Sequence, residues 1–218
     1  MDIRHFLELR LSFVSQLYTN SAKPFAERKR MIEAEEEPYV PPYSEDSEPA
    51  FLCEWLEAEE SLQVLGHASV CMLSASFHLY LKTLERELRV PAGEKYKSDF
   101  KRGWFNGYKS YFLNEFNVVF EDSQCNIGLL EELVLARNRV QHPEWITSHS
   151  TYYSEENLRN LPSPFFIDDR DAELLNEQEG ERGWLMQPAI HVTPEKFLAA
   201  VSEVARFADW LESFSLRR

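Results

Sequence analysis

The chain has little glycine, only 7 in 218 residues. Few glycines leave few left-handed turns, which argues against a turn-rich all-β fold and for helix. Cysteine is also scarce. Cys53, Cys71 and Cys125 are odd in number, scattered, and form no C-x-x-C pair. That pattern argues for free thiols in a cytoplasmic setting and against a structural zinc. Positive charge is outweighed, with 23 Lys and Arg against 37 Asp and Glu and a net charge of −14. A uniformly acidic surface repels phosphate, which argues against broad nonspecific nucleic-acid binding and leaves a local basic patch to look for. No apolar run approaches the roughly 20 residues that span a bilayer, so no membrane partner is expected. The opening Met1-Asp2-Ile3-Arg4-His5 does not read as a signal peptide.

The common catalytic signatures are missing too. There is no G-x-x-x-x-G-K-[ST], no G-x-G-x-x-G, no H-E-x-x-H and no G-x-S-x-G. These absences remove P-loop, dinucleotide, zincin and nucleophile-elbow chemistry. The 6 histidines are not paired at metal-ligand spacing, so neither a metal nor another cofactor is expected.

What is present is core material and helical periodicity. The apolar fraction is 44%, with 15 Phe, 9 Tyr and 5 Trp, ample for a packed interior. Residues 3–19 place Ile3, Phe6, Leu7, Phe13, Val14 and Leu17 near helical spacing. Pro24 is read as the start of a second, shorter helix ending near Glu36. Pro38, Pro41, Pro42 and Pro49 then force an extended loop. Residues 31–60 contain many Glu and no Lys or Arg. They form either a solvated acidic surface or a docking face for a basic partner.

Phe51 to Arg89 contains no proline and reads as one long helix, or two in line. A polar stripe of Glu60, Gln63, His67, Ser74, His78 and Glu85 runs along it. The stripe is either the wet face or the lining of a site, and His67 and His78 project in nearly the same direction. Val90-Pro91-Ala92-Gly93 breaks the helix. Residues 98–120 resume it, with Phe100, Trp104, Tyr108, Phe112 and Phe116 four apart. Such a stripe is more often core than a base-stacking platform. The basic stretch of the chain lies nearby, and its Lys95, Lys97, Lys101 and Arg102 are candidate RNA-backbone ligands or ordinary surface charge.

Residues 126–142 form another strong helix, stopped by Pro143. Residues 143–164 read as loop. Phe165 to Ile167 and Trp184 to Val192 read as the strands of a small β-hairpin around Glu177 to Glu181. Thr193-Pro194-Glu195 starts a last helix reaching about Phe214.

One segment is chemically odd. In Leu133 to His142, Arg137 falls near the middle of an apolar arc, where a guanidinium is costly unless paired or at a wet crevice. Arg139 projects to the polar side. Asn138 and His142 are four apart and share an edge. Arg137 and His142 are five apart, roughly 140° around a straight helix, and converge only if the helix ends at His142. The alternative is that Arg137 reaches out from a helix end and His142 caps the last carbonyls.

Arg137-Asn138-x-x-x-His142 resembles the R-N-x-x-x-H form of the R-x(4–6)-H motif of the HEPN family. That resemblance implies a bundle of about four main helices, here 51–89, 98–120, 126–142 and 194–215. Residues 1–49 would be an N-terminal helical extension with a Pro-rich acidic loop. Residues 50–218 would be the domain, with a hairpin insertion near 164–192. It also implies a homodimer and a metal-independent endoribonuclease in which the RNA 2′-hydroxyl is the nucleophile. Arg137 would hold the phosphate, His142 would move the proton, and Asn138 would orient one of them. Glu60, His67 and His78 are auxiliary candidates. A toxin or antiviral effector, held by an antitoxin or another protein partner, would fit this chemistry. Some members of the family are noncatalytic interaction modules, which is the competing expectation.

Overall fold

The computed structural model describes residues 2–43, 48–143, 150–177 and 187–215. Asp2 opens the first helix, its carboxylate accepting the His5 amide at 2.9 Å. That helix, α1, is Ile3–Glu33, and it runs straight through Pro24. The expected restart at Pro24 does not occur. The proline is exposed, and burial of Tyr18 and Ala22 on the inner face holds the helix across its one missing hydrogen bond.

The long helix expected from Phe51 to Arg89 is present as a single element, α2, Leu52–Leu88. Left-handed residues close both ends, Phe51 at φ 60° and Arg89 at φ 57°. It packs against α1 and later helices, burying Val70, Leu73, Phe77, Leu81 and Leu84. An 18-residue window of α2 has mean hydropathy 1.3 and passes the length and composition test for a membrane span, with 50% of it buried inside the fold. This corrects the expectation that no segment is so apolar. Small polar residues such as Ser69, Ser74 and Ser76 interrupt the run by eye, yet all three are buried.

Residues 98–120 are not one helix. A short turn, Glu94–Tyr96, leads into α3, Lys97–Lys101, and then into α4, Trp104–Phe116. Gly103 breaks the path at φ 132°, a backbone angle that favours glycine. Gly107 then lets the chain fold back on itself, since a Cβ there would lie 2.4 Å from the Phe100 ring. The aromatic stripe is core, as its spacing suggests. Tyr108 and Phe112 are buried, and Phe100, Trp104 and Phe116 pack against them.

After a short turn, Phe120–Ser123, comes α5, Ile127–Gln141. Asn126 caps it by accepting the Leu129 amide at 3.0 Å. The stretch read as loop holds α6, Glu155–Asn160, begun by a capping box between Ser154 and Asn157. The hairpin expectation also needs correcting. Residues Asp169–Glu177 are helical, α7, and among the described residues there is no β-strand. Residues 178–186, which include most of the expected turn, lie outside the described residues. In place of a ladder, one bridge pairs Tyr152 with Ala189. Its neighbours are the Ile190 amide on the Thr151 carbonyl at 2.7 Å and the His191 amide on the Phe166 carbonyl at 3.0 Å. The final helix, α8, is Pro194–Ser215.

The fold is therefore mainly helical. α1, α2, α4, α5 and α8 share one core, so the N-terminal helix packs into the same interior as the rest. A buried carboxylate ties the irregular segment to α5. Glu132 accepts the Phe165 and Phe166 amides, each at 2.7 Å. It also bonds Tyr153 Oη at 2.7 Å, which lies 3.1 Å from the Phe166 carbonyl. Burial pushes the Glu132 carboxyl above its ordinary value. Tyr153 donates to this carboxylate, and the two backbone amides complete its partners.

Candidate functional site

Two polar clusters flank α2, and they differ in how tightly they are tied. The first lies along its N-terminal half. Glu59 accepts from Gln63 Nε2 at 3.1 Å, from His191 at 3.3 Å and from Lys29. Gln63 accepts the Val192 amide at 3.0 Å. His67 Nε2 lies 2.8 Å from the Ile190 carbonyl. The His191 bond, followed by those from Lys29 and Gln63, holds the Glu59 carboxyl down at about 2 against the cost of burial. Burial chiefly pulls the His67 imidazole below its ordinary value, keeping it neutral. His67 therefore acts as an anchor for residues 190–192. Glu60 is exposed on the same helix.

This cluster also explains part of the acidic segment. The basic end of α1 meets it from within the chain. Lys29 pairs with Glu59, Arg30 pairs with Glu36 at 2.7 Å, and Arg28 lies 3.9 Å from Glu57. Trp55 donates to Glu33 at 2.8 Å, and Lys29 also sits 4.4 Å from the centre of the Trp55 ring.

The second cluster lies where the C-terminal half of α5 meets α2. Leu129, Leu130, Leu133, Val134 and Ala136 of α5 are buried. Arg137 is only half-buried, at the rim of that arc. Its guanidinium donates to Asn138 Oδ1 at 2.8 Å, which fixes the fork in place. Its charge acts on two α2 side chains, Cys71 and His78. Burial pushes the Cys71 thiol up, with Arg137 pulling the other way. Burial lowers the His78 imidazole, and the charges of Lys82 and Arg137 lower it further. His78 lies flat on Trp104, with ring centres 4.6 Å apart and an interplanar angle of 11°.

His142 is exposed. It is the residue at which α5 ends, at φ −127° and ψ 64°, and its amide donates to the Asn138 carbonyl at 3.1 Å. The helix thus leaves its path directly before Pro143, as the steric demand of proline requires. Arg139 has its own task, donating to the Tyr152 carbonyl at 3.0 Å and pinning the irregular segment.

The structure thus separates residues that the helical wheel groups. His67 turns to the 190–192 segment, while His78 stacks on Trp104 and feels the charge of Arg137. Three of the four candidate RNA-backbone cations are paired locally. Lys95 meets Glu115 at 3.1 Å, Lys97 meets Glu94 at 2.8 Å, and Arg102 meets Asp99. Lys101 is exposed. Lys82 and Arg137 each act on His78, which lies on the Trp104 ring. The sequence places Lys82 at the head of its basic stretch and Trp104 in its aromatic stripe, without singling out either. The signal available is that Lys82 follows His78 by four residues, one turn along α2.

A half-buried guanidinium whose charge reaches a lowered imidazole makes a place where an anion can bind, and His142 stands exposed at the end of the same helix. Among the described residues, no group of three His, Cys, Asp or Glu side chains is placed to hold a metal. Comparison with protein-family models, curated proteins and solved structures gives no match.

Proposed function

We propose that the chain is a HEPN-like, metal-independent endoribonuclease that cleaves RNA through its 2′-hydroxyl. The observation that carries this reading is the α5 terminus. Arg137 is held at the rim of the core by Asn138, and His142 stands exposed where the helix stops.

The scissile phosphate binds Arg137, whose planar donors match two phosphate oxygens and the charge that develops on them. Lys82 adds positive charge near His78. His142 takes the proton from the 2′-hydroxyl. The 2′-oxygen forms a bond to phosphorus, the bond to the 5′-oxygen breaks, and a second acid protonates that oxygen. The products are a 2′,3′-cyclic phosphate and a 5′-hydroxyl. The second acid is the protonated His142 of another copy.

The deciding experiment is cleavage of a mixed RNA pool in EDTA by the purified chain. Beside it run His142→Ala and Arg137→Ala. Cleavage that survives EDTA, leaves cyclic phosphate ends and vanishes in both variants supports the reading. Equal inertness of all three favours a noncatalytic interaction module. One observation backs that second reading, the run of exposed Phe6, Leu9, Phe13 and Leu17 along α1.

A further inference from the structure

α1 and α2 leave a hollow between them. Ile3, Phe6, Leu7 and Arg10 recur at helical spacing on α1, and Ser76, Leu79, Tyr80 and Thr83 do so on α2. Between the two rows lies a cavity of about 240 Å³. Ser76 and Thr83 are too short to fill it. Tyr80 is drawn toward α8, its Oη donating to the Ala208 carbonyl at 3.2 Å. Each row runs over seven residue steps, about 10 Å of helix, so the hollow is elongated along the pair.

The walls are apolar, and their hydroxyls are occupied. Ile3, Leu7 and Tyr80 are buried and make the floor, while Phe6 and Leu79, 53% and 40% exposed, make the rim. Ser76 Oγ donates to the Met72 carbonyl at 2.9 Å and Thr83 Oγ1 to the Leu79 carbonyl at 2.8 Å. Neither hydroxyl donates into the cavity.

Arg10 is the exception. It is exposed and, among the described residues, has no hydrogen-bond or ion-pair partner. Acid is abundant in a chain of net charge −14. Yet Glu8, close by on α1, is taken by Arg4 at 2.8 Å. A free guanidinium beside an apolar hollow suits a molecule with an anionic head and an apolar tail. One cation matches one negative charge. A phosphate monoester carries close to two at neutral pH, which an acidic surface opposes. A carboxylate carries one. A dry cavity of about 150 Å³ admits benzene, so in the same proportion about 240 Å³ admits roughly ten carbons.

The geometry points to a binding site for a straight-chain fatty carboxylate of about eight to ten carbons, with its tail between α1 and α2 and its head on Arg10. This site stands apart from the ribonuclease reading, since no residue of the Arg137–His142 cluster lines the cavity.

The test is calorimetric titration of the full chain with hexanoate, octanoate, decanoate, dodecanoate and decanol, with circular dichroism to monitor folding. Decanoate should bind with a Kd below about 100 μM. A fully buried CH₂ tightens binding about fourfold, so each two-carbon step should gain about tenfold until the cavity is full near decanoate. Arg10→Gln should weaken decanoate at least tenfold, the weight of a charge-assisted hydrogen bond, and leave decanol within about twofold. Leu79→Trp fills the hollow from its rim and should abolish uptake of both. Both sites are exposed, so folding should survive. No uptake of decanoate at about 1 mM would overturn the inference. So would decanoate held equally by wild type and both variants, affinity indifferent to chain length, or decanol bound as tightly as decanoate. A wild type that floats with phosphatidylglycerol vesicles and ignores free decanoate would give the cavity to a membrane surface and overturn it too.

Discussion

The two flanks of α2 carry similar residues and treat them differently. On the Glu59–His67 flank, carboxylate, amide and imidazole are each bound to a partner on another element. On the Arg137–His142 flank, the guanidinium is held, among the described residues, by its neighbour Asn138, and the histidine is exposed. A satisfied polar network stabilises a fold, and one with spare capacity at the surface is available to a ligand. The presence of histidine and acid on a helix therefore says little. What matters is whether other elements have already used their hydrogen-bonding capacity.

The sharpest way to break this comparison is His142→Ala. RNA cleavage should fall by about 10²–10⁴, the range of a lost acid–base group, while stability stays within about 0.5 kcal/mol because the side chain is exposed. A stability loss matching the activity loss would move His142 to the structural side.

Next in size is Glu132→Ala. It strands two amides and a phenol in the interior, with an expected cost of about 3–5 kcal/mol. Urea denaturation measures it. A cost under about 1 kcal/mol would show that the irregular segment is held by something else.

Glu59 sharpens the tied flank through pH. Its carboxyl sits at about 2, against an ordinary value of 4.5. A lowered value means its contribution is whole above pH 4.5 and is lost as pH falls toward 2. The expected size is on the order of 2–3 kcal/mol. Acid unfolding of Glu59→Gln beside wild type should lack that part of the slope. Parallel curves would mean that the His191 and Lys29 contacts are energetically idle.

The smallest effect belongs to Gly66→Ala. A Cβ there would lie 2.8 Å from Val192 Cβ, so the 190–192 segment must shift, at a cost of about 1–3 kcal/mol. Thermal melting reads it. An unchanged midpoint would show that this flank yields more easily than its hydrogen bonds suggest.

The helices of high periodicity are legible in the chain itself. α2, α5 and α8 lie close to their expected bounds because apolar periodicity and the residues that start or stop each helix agree. Three local signals mislead. Pro24 looks like a start but is tolerated mid-helix, because the buried inner face of α1 outweighs one lost bond. Phe100 and Trp104 look continuous across Gly103, whose φ of 132° turns the chain. The apolar pieces on either side of the polar stretch near 180 suggest paired strands. Yet Asp169–Glu177 is helical, and the segment near 190 is captured by Glu59, Gln63 and His67.

By itself the sequence determined the helical class, the long α2, and the end of α5 at His142. Those follow from periodicity, capping and the steric demand of Pro143, which act over a few residues. Tertiary structure alone decided which polar groups are occupied. It turned His67 into an anchor, brought His78 within reach of the Arg137 charge, and left Val64 and Leu79 of α2 exposed. Those outcomes depend on which elements meet, and contacts between residues more than a hundred positions apart leave no local trace in the chain.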